Sequence, residues 1–361
     1  MCIMRAVLAA ITTLVSLLCV APVLVLVVPF WAIARLTRAI APLFERPHVL
    51  WQHLIEYDPH IGWKPKANLD AYYLAHRDDM LTPYHIITDA QGWPGTTSLA
   101  TSQIVVFGDS FAFGYGVDID VSYAVLHPHI RIKAIAAPGY NMVQELLLMR
   151  QLSLQLRDKL VVWFIYLEND LFDNLMPNLF HYRMPFVRSS NGKDEWHIVT
   201  HHLSPLMWNY ASALRPYYPF LAQVCTPNPL SQRVYGACNF LIKEGHDVCQ
   251  QAGAQLAIMT IPYVKQLSPE GISALAAQSA DGQQIDPDFP DQQISEICQY
   301  RGVPFLAAKQ YMREQDYKKY DVHWNEQGHQ RIAQLLANLY QCYLTGSVYS
   351  ELTSYSRNTK L

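Results

Sequence analysis

Serine is the residue type whose setting in this chain first suggests covalent chemistry. The stretch Gln103 to Gly116 reads Q-I-V-V-F-G-D-S-F-A-F-G-Y-G. Its apolar, β-branched run Ile104 to Phe107 fits a strand buried on both faces, and Gly108 ends that run in a turn. A side chain just past the carboxyl end of a parallel strand points into the crevice where open α/β folds keep their ligands. Ser110 is therefore a candidate nucleophile. A serine hydroxyl is weak alone and needs a base within hydrogen-bond reach, which in turn needs an orienting acid. Gly-Asp-Ser is also ordinary turn composition, with Asp109 read as bracing the turn, so the tripeptide by itself does not separate a site from a turn.

The elements that would position Ser110 follow from hydrophobic patterning. From Thr101 buried strands alternate with helical segments, which argues for βαβ units and a parallel sheet. Further strands are expected at Ile132 to Gly139, Leu160 to Asp170, Gln255 to Ile261 and Val303 to Leu306. Helices are expected over Asn141 to Leu156 with Asn141 as cap, over Asn239 to Gln251, Gly271 to Gln284 and Gln292 to Tyr300, and over Glu326 to Leu344 capped by Asn325. Leu171 to Tyr235 is long, aromatic and proline-bearing, and Asn191-Gly192 between alternating segments is a hairpin signal. Inserted after the strand that ends near Asn169, this segment is expected to overhang the open edge of the sheet as a substrate lid. Its Trp196, Trp208, Tyr217 and Tyr218 suit stacking on sugar rings or lining an acyl pocket, and equally suit the small core of the insertion itself.

Three later stretches extend the pattern. They are I-K-A-I-A-A-P-G ending at Gly139, L-V-V-W-F-I-Y-L-E-N-D containing Asn169, and D-V-H-W-N-E-Q-G-H from Asp321 to His329. Together with the block at Ser110, and in this order, they resemble the SGNH, or GDSL, hydrolase superfamily over roughly Gln103 to Leu344. The resemblance implies a three-layer α/β/α sandwich with a mainly parallel sheet. It also implies Ser110 as nucleophile, His323 as base, Asp321 as the acid orienting it, and Gly139 and Asn169 as oxyanion donors beside the Ser110 N–H. No cofactor or metal is implied. Two departures stand out. The family commonly spaces acid and base three apart, whereas here they are two apart with Tyr320 in the usual acid position; a shorter Asp-x-His-Trp form occurs in relatives that handle acetylated polysaccharide. Leu167 stands where the family's glycine is usual. His329 falls inside the closing helix and reads as structural, and Glu168, Asp170, Asp173 and Asn174 read as helix-capping groups facing water.

The rest of the chain sets the frame. At 361 residues, 51% hydrophobic and with a formal net charge of −3, it is long enough for one large core or two small ones, and its scattered basic residues give no electrostatic case for nucleic acid. Ala6 to Ala34 carries no charged residue. As a helix at about 1.5 Å per residue it would exceed the roughly 30 Å hydrocarbon core of a bilayer, so it is expected to be an uncleaved transmembrane anchor rather than a signal peptide, whose apolar region is shorter. Flanking arginines, Arg5 on one side and Arg35, Arg38 and Arg46 on the other, would by a literal count hold the body of the protein in the cytoplasm. Long domains translocate regardless of such counts, and anchored relatives usually work on the outer side, so an extracytoplasmic catalytic domain is expected. The expected organisation is an anchor and juxtamembrane segment over 1–46, a β-rich or irregular collar over 47–100 with tryptophan-tipped turns, a catalytic domain over 101–345 carrying the insertion at 171–235, and a polar tail over 346–361.

Seven cysteines are present. Cys225 and Cys238 are candidates for a disulfide in an oxidising compartment. Cys249 and Cys298 fit as core residues, and no cysteine has zinc spacing. Three functions compete: an anchored serine esterase acting on O-acyl, chiefly acetyl, groups of a small molecule or glycan; an acyltransferase with the same triad passing the acyl group to a sugar hydroxyl; and a non-enzymatic membrane scaffold or glycan-binding module. Intact Ser110, Gly139, Asn169 and His323 speak against the third.

Overall fold

The computed structural model describes residues 54–74, 83–179, 182–190, 195–200, 221–279, 284–319 and 321–346. The expected anchor and juxtamembrane segment over 1–46, the start of the collar, Tyr320 and most of the tail lie outside these residues, as do Trp208, Tyr217 and Tyr218. Among the described residues no helix is long and apolar enough to cross a membrane.

The described chain begins with two antiparallel hairpins, β1 (Ile55–Asp58) with β2 (Gly62–Pro65), and β3 (Asp70–Leu74) with β4 (Pro83–Ile87). Asp58 shapes the first turn by accepting from the His60 and Ile61 N–H groups at 2.8 and 3.1 Å. Gly62 follows at φ +98°, where an added Cβ would lie 2.6 Å from the Arg183 carbonyl oxygen. Asp89 caps the next turn, accepting from Gln91 and Trp93. Its second oxygen pairs at 2.7 Å with the Lys133 ammonium, which is 1% exposed. A buried cation is tolerated only when paired, so this contact fixes the hairpins to the sheet strand that carries Lys133.

That sheet has five parallel strands: β5 (Ile104–Gly108), β6 (Ile132–Ala136), β7 (Leu160–Tyr166), β12 (Gln255–Ile261) and β13 (Phe305–Ala307), in the spatial order β13-β12-β7-β5-β6. Every residue of β5, β6 and β7 is buried, the pattern of strands covered on both faces. Adjacent residues of β7 show the two faces. The Trp163 indole donates to Glu145 at 2.5 Å on the helix Met142–Leu152, while Phe164 packs edge-on to Trp324 at 6.1 Å and against Tyr123 at 5.7 Å. Helices therefore lie on both faces. Met142–Leu152, Pro229–Ala252 and Phe289–Arg301 pack on one another on the first, and Tyr123–Leu126 with Glu326–Thr345 on the second. The five-stranded sheet is parallel throughout.

Between β7 and β12 the chain forms two small hairpins, β8 (Asn178–Leu179) with β9 (Tyr182–Arg183) and β10 (Phe186–Ser189) with β11 (Trp196–Val199). Residues 171–235 are not all insertion: Pro229–Ala252 is one helix, beginning ten residues ahead of the expected Asn239. Asn228 caps it, accepting from Ser231 N–H at 2.9 Å with Pro229 in the first turn, a start signal hidden by the aromatic tract before it. The half-buried Trp196 lays its ring on Gly236 of this helix, where an added Cβ would meet it at 3.2 Å.

Other boundaries move by a few residues. The closing helix is Glu326–Thr345, with Asn325 accepting from Gly328 N–H. Helix Met142–Leu152 has a full capping box at Asn141 and Gln144, and Pro269–Ala276, capped by Ser268, starts two residues ahead of the expected Gly271. The last strand begins at Phe305 instead of Val303. Cys225 and Cys238 are free thiols, correcting the disulfide expectation. Both are buried, and burial pushes each up to about 12, so they are inert packing groups. Cys249 and Cys298 are likewise buried and free.

Candidate active site

Three neighbouring strands end at one edge. In register, Gly108 of β5 pairs with Ala136 of β6, and Phe107 of β5 with Trp163 of β7. Ser110 lies two residues beyond the end of β5, Gly139 three beyond β6, and Asn169 three beyond β7. With β5 between the other two, Ser110 is flanked by the loops bearing Gly139 and Asn169.

The turn at the end of β5 is tight. A Cβ at Gly108 would come within 2.7 Å of the Ala112 Cβ and 3.1 Å of the Phe164 Cβ, so glycine lets the short helix Ser110–Phe113 fold directly over the sheet. Asp109 caps that helix by accepting from Phe111 N–H at 2.9 Å, and Gly114 closes it in the left-handed region at φ +81°. Burial pushes Asp109 up to about 6, against the pull of Phe111 N–H, His323 and Ser110. Asp109 thus braces the turn.

The closing block reaches this turn from 213 positions away in sequence. His323 Nε2 lies 2.7 Å from Ser110 Oγ, and His323 Nδ1 lies 2.6 Å from Asp321 Oδ1. A carboxylate only accepts, so Nδ1 carries the imidazole proton and Nε2 is left to accept from Ser110. Asp321 Oδ1 also accepts from the His323 backbone N–H at 3.2 Å. This second bond is how an acid two positions before the base still reaches the ring. Burial alone would raise the Asp321 pKa, but hydrogen bonds and charge from His323, with Lys318 adding, pull it down to about 2. The side chains of His323 and Asp321 keep 14% and 18% of their surface, so the line opens to solvent.

Supports that lacked a local sequence signature hold this block. Phe111 and Tyr115 each place a ring 4.9 Å from the imidazole. Tyr84 of β4 packs edge-on to Tyr115 at 5.7 Å. Asp316, fully buried, pairs with Arg331 at 2.8 Å and accepts from Arg313 N–H at 2.7 Å, while Asn325 N–H donates to the Asp316 carbonyl. The Lys318 N–H donates to the His323 carbonyl at 2.9 Å and its ammonium donates to the Gly116 carbonyl. Trp324 is buried beneath, edge-on to Phe111. His329 is structural: it is buried, its Nδ1 accepts from Tyr123 N–H at 3.3 Å, and burial lowers it to about 3, so it is neutral.

The two remaining residues lie on the flanking loops. Gly139 is buried at φ +74°, a conformation L side chains rarely adopt. Asn169 Nδ2 donates to Asp173 Oδ2 at 3.1 Å. An amide nitrogen carries two protons, so this bond fixes the side chain and leaves one donor for a ligand. Asp170, Asp173 and Asn174 are buried, not facing water as the sequence suggested. Asn174 accepts from Met142 N–H, Asp170 accepts from Tyr166 N–H at 2.7 Å, and Asn141 donates to the Asp173 and Pro185 carbonyls. These groups lock the β6 and β7 loops together. Among the described residues no group of three or more histidine, cysteine or acidic side chains could hold a metal ion.

No protein-family model and no curated protein sequence matches the chain. Among solved structures it is similar to a lipolytic G-D-S-L protein from Veillonella parvula at 9% identity and TM-score 0.39, covering 67% of this chain and 99% of that one. It is also similar to an M. smegmatis aryl esterase at 11% and 0.39, covering 67% and 99%, and to the esterase EstA from a Pseudoalteromonas species at 11% and 0.36, covering 67% and 98%. At these values the likenesses decide nothing about this chain's chemistry.

Proposed function

We propose that the chain is a serine ester hydrolase of the SGNH type, removing O-acyl groups, chiefly acetyl, through an acyl-enzyme on Ser110. The observation that carries this reading is the line from Ser110 Oγ to His323 Nε2 at 2.7 Å and from His323 Nδ1 to Asp321 at 2.6 Å. As Oγ attacks the ester carbonyl carbon, its proton passes to Nε2, and the imidazolium is stabilised by a carboxylate that stays ionised. The carbonyl electron pair moves onto oxygen, where the Ser110 N–H, the Gly139 N–H and the free Asn169 amide proton are the donors; one such donor is worth about 10² to 10³ in rate. Collapse expels the alcohol, which takes the proton from Nε2. Water then repeats the sequence on the acyl-enzyme and releases the acid. A glycan alcohol is the preferred leaving group in this reading, and a sugar hydroxyl arriving in place of water would make the same site a transferase. We further propose that Ala6 to Ala34 anchors the chain in a membrane with the catalytic domain on the extracytoplasmic side.

Fluorophosphonate labelling of detergent-solubilised protein tests the chemistry. The adduct is expected on Ser110 by peptide mass, and neither Ser110→Ala nor His323→Ala should label or turn over p-nitrophenyl acetate. Turnover retained in Ser110→Ala removes the proposed nucleophile.

A further inference from the structure

The first hairpin touches the site at one peptide. Trp63 of β2 is fully buried, and its indole Nε1–H donates to the Pro138 carbonyl at 3.2 Å. The Tyr140 hydroxyl donates back to the Trp63 carbonyl at 2.8 Å, with the two rings 6.0 Å apart. Gln144 adds a bond to the Ile61 carbonyl at 2.7 Å, and Tyr140 N–H closes the turn on the Ala137 carbonyl. These bonds bracket Gly139 on both sides, 75 and 77 positions from the hairpin in sequence.

The Pro138 carbonyl and the Gly139 N–H are two ends of one planar trans peptide, and the chain has no cis peptide among the described residues. Fixing the carbonyl therefore fixes the direction of the N–H. A hydrogen bond accepted at the oxygen also polarises the unit and strengthens the N–H as a donor. We infer that Trp63 and Tyr140 are positioning residues for the oxyanion: the hairpin orients and polarises the Pro138–Gly139 peptide so that its N–H meets the charge developing on the ester oxygen. The inference rests on the esterase reading. Neither side chain touches substrate.

The test compares Trp63→Phe and Tyr140→Phe with the wild type on p-nitrophenyl acetate, beside inhibition by phenylboronic acid, which forms a tetrahedral anion on a reactive serine. Weakening rather than removing one oxyanion donor should lower kcat about tenfold, with KM within about twofold. Boronate affinity should fall in parallel with kcat/KM, and the acid limb of the pH–rate profile should not move because His323 and Asp321 are untouched. Should Trp63→Phe fail to fold, Tyr140→Phe, which deletes one oxygen, carries the test alone. Folded variants with wild-type kcat and boronate affinity overturn the inference while leaving the esterase intact, as does a loss confined to KM. A wild type with neither turnover nor label overturns the esterase reading and this role with it.

Discussion

Asp321 and Asp109 both reach the Ser110–His323 pair, one at the far end of the imidazole and the other beneath the hydroxyl, where Asp109 Oδ2 lies 3.4 Å from Oγ. Their surroundings drive them apart. Asp321 has a partner on both the ring and the backbone of His323 and is held near 2. Asp109 is buried, and behind it Glu145 and Asp170 are pushed well above the usual carboxylate range by burial, each raised further by other buried acids. Burial thus disfavours charge on the inner acids Glu145 and Asp170, while His323 favours it on Asp321. Equal side-chain chemistry thus yields a polar scaffold on one side of the serine and a counter-ion on the other, the sorting by environment that lets one site keep acid and base forms together.

The sharpest way to break this contrast is Asp321→Asn. It keeps the shape but loses the charge and misdirects the ring proton, so kcat should fall about 10³- to 10⁴-fold; a loss below tenfold would mean another group serves as the acid. A smaller effect is expected away from the site. Asp291 is buried, accepts from the Thr260 hydroxyl at 2.5 Å, and burial raises it to about 6. A raised pKa favours the protonated folded state, so the stability it lends is full below pH about 4 and is lost as pH rises through 6. Relative to wild type, Asp291→Asn should remove a decline of about 3 kcal/mol across that window, read as the difference between denaturation curves at pH 4 and pH 7. The smallest change should come from Glu145→Gln. Burial favours the neutral carboxyl at Glu145, which accepts from Trp163 and is closely matched by an amide, so kcat should stay within about threefold; a large loss would mean Glu145 is ionised.

Much of this was legible from patterning. The unbroken apolar runs of β5 and β7, and the largely apolar β6 and β12, marked where chemistry-bearing loops begin, and Asn141 and Asn325 announced their helices by local capping alone. Asn228 did so too, but its signal was submerged in the aromatic tract before it. Burial of polar groups was not legible. Asp170, Asp173 and Asn174 follow a strand in a four-residue helical turn, and nothing local tells whether such a turn faces water or lies beneath the loops of two neighbouring strands. Nor does any spacing join Trp63 to Pro138, or Asp316 to Arg331, because those pairs are made by the folded topology rather than by neighbours in sequence.

The long separation between Ser110 and His323 has a consequence for synthesis. At roughly 5 to 20 residues per second, the 213 positions between them take about 10 to 40 s to translate. During that interval Ser110 exists without His323 beside it. An unfinished chain carries a bare hydroxyl, and the line from Ser110 through His323 to Asp321 forms only when the last block has emerged and docked on the turn after β5.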